Sequence, residues 1–214
     1  MGNHRKIQKT GIWVLVFLLS LGVIFALTGS PILTAEMVFR MKEKQNLIGP
    51  AHIMGVIDFT DDRYDHLLIG QSEYGYTFFE WNDRNPDDGV LSYQPKSKGA
   101  TLYCTRYSYN AMRSGQEYLP IFVFTDRPAF IARLVLTTIQ DGETVTYPLA
   151  AERNGDGYFY FIWPTDNLRS RDFWLVQQLI TGEYRNYILD GSAQATLELY
   201  DMDGKLLDTF LFTK

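Results

Sequence analysis

Asp83, Asn85 and Asp87 put three oxygen donors at alternate positions in the run DRNPD, the best-spaced candidate ligand set in this 214-residue chain. A calcium loop presents oxygens to a hard cation at this spacing. The set is incomplete, because the glycine of such loops falls one place late at Gly89, with Asp88 in its slot. Gln94 stands where a bidentate glutamate belongs. A second acidic group (Asp58, Asp61, Asp62, Asp65) and a third (Asp201, Asp203) are more economically read as solvated turns.

His52 and His66 could join Asp62 or Asp65 around a transition metal, since imidazole and carboxylate are suitable donors. Fourteen residues separate the two histidines, which is no diagnostic spacing for zinc. Gly70-Gln-Ser72-Glu-Tyr-Gly75 approaches the Gly-x-Ser-x-Gly turn that exposes a nucleophilic serine, but its second glycine is one residue late. It reads as a turn between strands. Ser108-Tyr-Asn110 lacks the Ser-x-x-Lys that would make it part of a penicillin-binding site. Glu73, Glu80 and the aspartates supply carboxylates for glycoside hydrolysis, a chemistry that depends on a separation the sequence does not set. Trp81, Trp163 and Trp174 could stack on sugars. However, Tyr158–Trp163 carries rings on both strand faces, which favours packing. Cys104 is the single cysteine, which forbids an intramolecular disulfide and a cysteine-based zinc site. A buried, inert thiol is expected there. The sequence therefore predicts no catalytic set and no cofactor.

The elements that would carry these residues begin with an apolar segment. Thr10–Ala35 is 26 residues without a charge, and Ile12–Leu27 is apolar apart from Ser20 and Gly22. As a helix it would reach ~39 Å against ~30 Å of hydrocarbon. The expected span is residues 12–33, which makes the lipid bilayer the first expected partner. Arg5, Lys6 and Lys9 favour a cytoplasmic N-terminus, and Arg40, Lys42 and Lys44 weaken that asymmetry. A cleaved signal peptide is the rival. Its apolar run would be shorter, ~7–15 residues, and the best site here, Leu33-Thr34-Ala35, lacks a small residue at its first position.

Residues 46–214 hold 14 Lys+Arg and 23 Asp+Glu, a charge of −9, against +4 for residues 1–45. An acidic domain is a poor partner for nucleic acid. The basic cluster Arg40–Lys44 lies where anionic headgroups would be. Glu36–Gln45 is compatible with a helix that continues the span outward and ends at Gly49-Pro50. Beyond it, short β-branched or aromatic runs predict strands at Ile53–Phe59, Leu67–Gly70, Tyr76–Trp81, Val90–Tyr93, Ala100–Thr105, Ile121–Phe124, Ile131–Ile139, Glu143–Ala151, Gly157–Trp163, Ala195–Tyr200 and Lys205–Phe212. Asn154-Gly155 is a hairpin cue. Ser108–Glu117 reads as a linker or surface loop. Asp172–Thr181 fits a helix stopped by Gly182, with a strand nearly as plausible.

The fold expected is mainly β: a transmembrane helix, an antiparallel β region and a β-sandwich. The organisation expected is a cytoplasmic basic tail (1–11), a signal anchor (12–33), a juxtamembrane helix or linker (34–50), a β-rich subdomain (51–118) and a sandwich (119–214). Asp156-Gly-Tyr-Phe-Tyr-Phe161, with Tyr200-Asp-Met-Asp-Gly-Lys-Leu-Leu207, resembles the immunoglobulin-like β-sandwich domains of uncharacterised membrane-anchored proteins of Gram-positive bacteria. The resemblance covers residues 119–214. It implies a fold and an exported location, and no catalytic residues. The expected function is that of a non-enzymatic accessory or interaction module of the cell envelope, contacting another membrane protein or a wall component. A surface sensor of a small ligand or calcium, and a divergent envelope hydrolase, are the alternatives.

Overall fold

The computed structural model describes residues 12–23, 34–59, 65–82, 88–105, 109–110, 117–164, 170–181 and 192–213. Residues 12–23 form helix α1, and Ala35–Gln45 form α2. The chain then builds a first antiparallel sheet, in order β1 (His52–Asp58), β2 (His66–Gln71), β3 (Gly75–Trp81), β4 (Val90–Pro95). The strands β5 (Ala100–Cys104), β6 (Tyr109–Asn110) and β7 (Glu117–Thr125) start a middle sheet. Next, β8 (Ile131–Gln140) and β9 (Glu143–Glu152) leave it for a third sheet. β10 (Phe159–Pro164) returns to pair with β7. After helix α3 (Ser170–Thr181), β11 (Ser192–Tyr200) and β12 (Leu206–Thr213) complete the third sheet, in order β12-β11-β8-β9.

Alternation along β7 explains the layering. Leu119, Ile121 and Val123 belong to one core with Leu134, Leu136, Leu197 and Leu199 of the third sheet. Phe122 and Phe124 point the other way, into a second core with Leu67, Ile69 and Phe78 of the first sheet. β5 and β10 follow the same rule: Leu102, Cys104, Phe159 and Phe161 face the third sheet, and Tyr103 and Tyr160 face the first. The middle sheet is thus buried on both faces along β5 and most of β7, with Ile162 and Pro164 exposed at the end of β10. The expected boundary at residue 118 falls inside β7, whose partners β5 and β10 come from either side of it. β5 and β6 pair with the same strand on either side of Leu119 and Pro120, and Thr105 N–H bonds to Pro120 O at 3.4 Å.

The hairpin expected at Asn154-Gly155 takes a different form. The turn is made, with Tyr158 N–H donating to Asn154 Oδ1 at 3.0 Å. Its two strands then part into different sheets, β9 into the third and β10 into the middle one, with only an Arg153–Phe159 bridge between them. Asp172–Thr181 resolves as helix. Phe173 sits on it, and Val176 and Ile180 enter the core between the middle and third sheets.

α2 covers the remaining face of the first sheet. Val38 and Phe39 pack with Ala51, Leu68, Phe79 and Trp81. α2 is not the continuation of the segment before it. Thr34 is an extended residue (φ −66, ψ 155) whose hydroxyl accepts from Met37 N–H at 3.3 Å, so a new helix starts there with its own cap. Its end also precedes the expected Gly49-Pro50. Ile48 N–H bonds to Glu43 O at 2.9 Å and Leu47 N–H to Lys44 O at 3.2 Å, the paired bonds of a Schellman turn. Leu47 occupies the left-handed position, φ 57, that glycine usually fills. A side chain there costs ~1–2 kcal/mol, against about 1.5–3 kcal/mol gained by burying each of Val38 and Phe39.

α1 has no such cover. Its residues from Ile12 to Val23 are exposed on all sides apart from a half-buried Leu21. Among the described residues no helix is long and apolar enough to cross a membrane. The described part of α1 spans ~18 Å at 1.5 Å per residue, and residues 24–33 of the expected span lie outside the described residues.

Gly70 sets how closely α2 approaches. A Cβ on it would lie 2.9 Å from Ala51 Cβ, 3.0 Å from Phe39 Cζ and 2.5 Å from Thr77 Oγ1. Gly70→Ala is expected to push α2 off the first sheet and to cost about 1–3 kcal/mol, the usual range for overpacking. Urea unfolding of the variant checks this, and an unchanged midpoint would contradict the close approach.

Candidate functional site

The calcium candidates Asp83, Asn85 and Asp87 lie outside the described residues, as do Asp61 and Asp62. Of the second acidic group, Asp58 and Asp65 bracket His66. Its Nδ1 is 2.7 Å from Asp58 Oδ1 and its Nε2 is 3.5 Å from Asp65 Oδ1. The imidazole stacks on Trp81 at 5.0 Å. His52 does not join it. His52 pairs with Gln71 and Asp58 pairs with His66, so the two histidines sit at opposite ends of the β1–β2 hairpin, ~20 Å apart at the rise of a strand. Asp201 serves its own turn, accepting from Asp203 N–H at 3.0 Å and Lys205 N–H at 2.8 Å. Among the described residues no group of three or more His, Cys, Asp or Glu is placed to hold a metal ion.

The nucleophile and carboxylate candidates are also dispersed. Ser72 Oγ accepts from Gly75 N–H at 3.2 Å in the β2–β3 turn, a local role for the hydroxyl. Glu73 is exposed on that turn, while Glu80 is buried at the far end of β3. Glu80 accepts from the Tyr103 hydroxyl at 3.2 Å, and the Tyr103 ring stacks on Phe78 at 3.4 Å. Trp81 and Trp163 are both buried, Trp163 meeting the edge of Tyr147 at 5.3 Å, so neither offers a face to a sugar. Trp174 is half-buried on α3. Cys104 is fully buried in the core between the middle and third sheets.

α3 is held across one side of the sandwich by polar side chains. Buried Asp172 accepts from Tyr147 OH at 2.6 Å, and Gln177 Nε2 donates to Thr105 O at 3.1 Å. Beside its C-terminal turn lies a cleft of ≈ 260 Å³. Leu102, Leu179, Ile180 and Phe212 make its apolar lining, with Gln94, Ser97 and Thr181 as the polar groups. None of these titrates near neutrality, so this cleft suits a small neutral molecule and supplies no general acid or base.

The other candidate surface is the outward face of α2. Glu43 is buried. Its Oε1 accepts from Ala51 N–H at 3.0 Å, its Oε2 meets Arg40 Nη1 at 2.8 Å, and the same Nη1 donates to Ala51 O at 2.6 Å. Arg40 is therefore committed to clamping α2 to the start of β1. The basic cluster read from sequence reduces to Lys42 and Lys44 of the last turn. Met37 and Met41 are exposed, and Leu47 is 93% exposed at the helix end. Sequence reasoning missed Leu47, because nothing in its type marks a left-handed backbone.

Compared with known proteins, the chain matches no family model, no curated protein and no solved structure.

The buried tyrosines set a pH limit. Burial, then the charge of Glu80, pushes Tyr103 well above the ordinary tyrosine value of 10.0. Burial, then Tyr118, raises Tyr160, and burial is likewise the main cause for Tyr76, Tyr118 and Tyr158. A raised folded-state pKa means the unfolded chain loses these protons first. Stability is then fully present below pH ~10 and falls as pH rises above it, by up to ~1.4 kcal/mol per pH unit for each such group. Melting temperature followed from pH 8 to 11 should be flat in this respect until pH ~10 and then drop. A curve with no drop in that window would show these phenols to be solvated.

Proposed function

We propose that this is a single-pass membrane protein, N-terminus inside, whose mainly β domain works outside the cytoplasm as a non-enzymatic interaction or accessory module of the cell envelope. The observation that carries this reading is α1: a helix apolar all round, exposed on all sides, within a run of 26 uncharged residues. A helix apolar on every face needs an apolar surround, and the folded body gives it none. The resemblance of residues 119–214 to immunoglobulin-like domains of anchored proteins agrees with it. The third sheet leaves Ile139, Leu207 and Leu211 exposed, on strands where a partner could pack.

The segment is expected to stay in the membrane pellet through alkaline carbonate washing, and Leu18→Arg, which costs about 2.5–3.5 kcal/mol of insertion at a helix centre, is expected to release a substantial fraction. Cysteines engineered into the 82–89 loop are expected to react with an impermeant thiol reagent in intact cells. Labelling only after lysis would invert the orientation, and extraction of the unmodified chain by carbonate would remove the anchor.

The cleft beside α3 favours a second reading, a surface sensor of a small neutral ligand. A ligand at 100 times its Kd raises stability by about 2.7 kcal/mol. A saturable rise in melting temperature with soluble wall fragments, lost in Leu102→Trp, would support it. No rise with any fragment, in a protein that retains its partner, would leave the interaction reading alone. An envelope hydrolase would require carboxylates converging on one cleft, and Glu73 and Glu80 lie at opposite ends of β3.

A further inference from the structure

We infer that the outward face of α2 lies on the anionic headgroup layer of the membrane, with Leu47 as its wedge, so that the β body is held in one orientation to the bilayer. The inference rests on the membrane-anchor reading and specifies how the anchored domain sits. Five observations converge. Thr34 breaks the helix between the apolar segment and α2, so α2 is free to turn from the bilayer normal. Residues 24–33 are the whole connection from the described end of α1 to that cap. Even fully extended they reach only ~36 Å, which keeps α2 near the surface.

The exposed side of α2 also has the composition of an interfacial helix. Met37, Met41 and Lys44 are exposed and share that side at helical spacing, while Lys42, four residues after Val38, is half-buried. Leu47 adds a cost that the fold does not require. A glycine would close the same Schellman turn without strain, yet a leucine stands there with 93% of its surface exposed and no packing partner among the core clusters. Strain of this kind persists where it serves something outside the local fold. Charge bears on the occupant: the body beyond residue 45 carries −9, so an anionic surface repels it as a whole, and the exposed Lys44, with Lys42 beside it, supplies attraction at the end of α2. The docked pose passes to the whole body, because Arg40 and Glu43 grip Ala51 on both its N–H and its carbonyl.

The test uses the full chain reconstituted in phosphatidylglycerol–phosphatidylcholine vesicles carrying shallow and deep quencher lipids. An environment-sensitive probe is placed at Phe17→Cys, Gln45→Cys or Asp203→Cys, with the buried Cys104 left in place. The residue 17 probe should be quenched by the deep lipid, the residue 45 probe by the shallow lipid, and the residue 203 probe by neither. Adding Leu47→Gly, or Lys42→Gln with Lys44→Gln, to the residue 45 chain should weaken its quenching severalfold. Leu47→Gly should leave the melting temperature equal or higher, since it relieves the left-handed backbone. Quenching at 17 but not at 45 overturns the docking and leaves the anchor standing. Absence of quenching at 17 overturns the anchor and the docking with it. Quenching at 45 that survives both sets of substitutions overturns the wedge and charge contacts.

Discussion

A sheet packed on both faces along its central strand constrains everything around it. β7 must be apolar at successive positions, since Leu119, Ile121 and Val123 serve one core and Phe122 and Phe124 the other. Tyr103 is paired with Glu80 of the first sheet, while the buried indole N–H of Trp163 on β10 has no hydrogen-bond partner among the described residues. Of the middle sheet's side chains, Leu102 reaches the cleft beside α3 and Ile162 is exposed at the end of β10. The surfaces left for contact are mostly on the outer layers: the helix on the first sheet, the exposed face of the third sheet, and the edge where α3 lies across the sandwich.

α2 shows how one element can serve both sides. Its inner face fastens it to the body by apolar contact through Val38 and Phe39 and by the Arg40–Glu43 pair. A buried carboxylate is costly unless its lone pairs are used, and Glu43 spends both oxygens on the same joint. The pair adds little free energy that an apolar contact could not supply. What it adds is direction, because two hydrogen bonds to Ala51 fix the helix relative to the first strand.

The strand-rich character of the fold was legible because alternation is a local signal. Ala195, Leu197 and Leu199 alternate with polar neighbours, and they are buried as that pattern requires. Sheet membership was not legible. The Asn154-Gly155 turn looks like an ordinary hairpin in sequence, but its strands separate because Phe159 and Phe161 of β10 face the third sheet across the core while Leu149 of β9 belongs to that sheet. The contacts of Arg40 were not legible for a similar reason. Its charge suggested headgroups, and only the fold places it against Glu43 and Ala51. The metal and carboxylate candidates failed where register separates them, as His52 and His66 are separated by the length of one hairpin.

The layering also decides which surface is left for a partner. With α2 on the outer face of the first sheet and the layers about 10 Å apart, the third sheet's outer face stands ~30 Å from α2, several Debye lengths at physiological salt. Whatever charge attracts or repels at the α2 end is screened there. On the proposed docking, a surface at that distance, carrying Ile139, Leu207 and Leu211, would be read by a partner through shape and apolar contact, independently of the charge at the α2 end. Separation of the orienting face from the displaying face follows from having a sheet between them that neither can use.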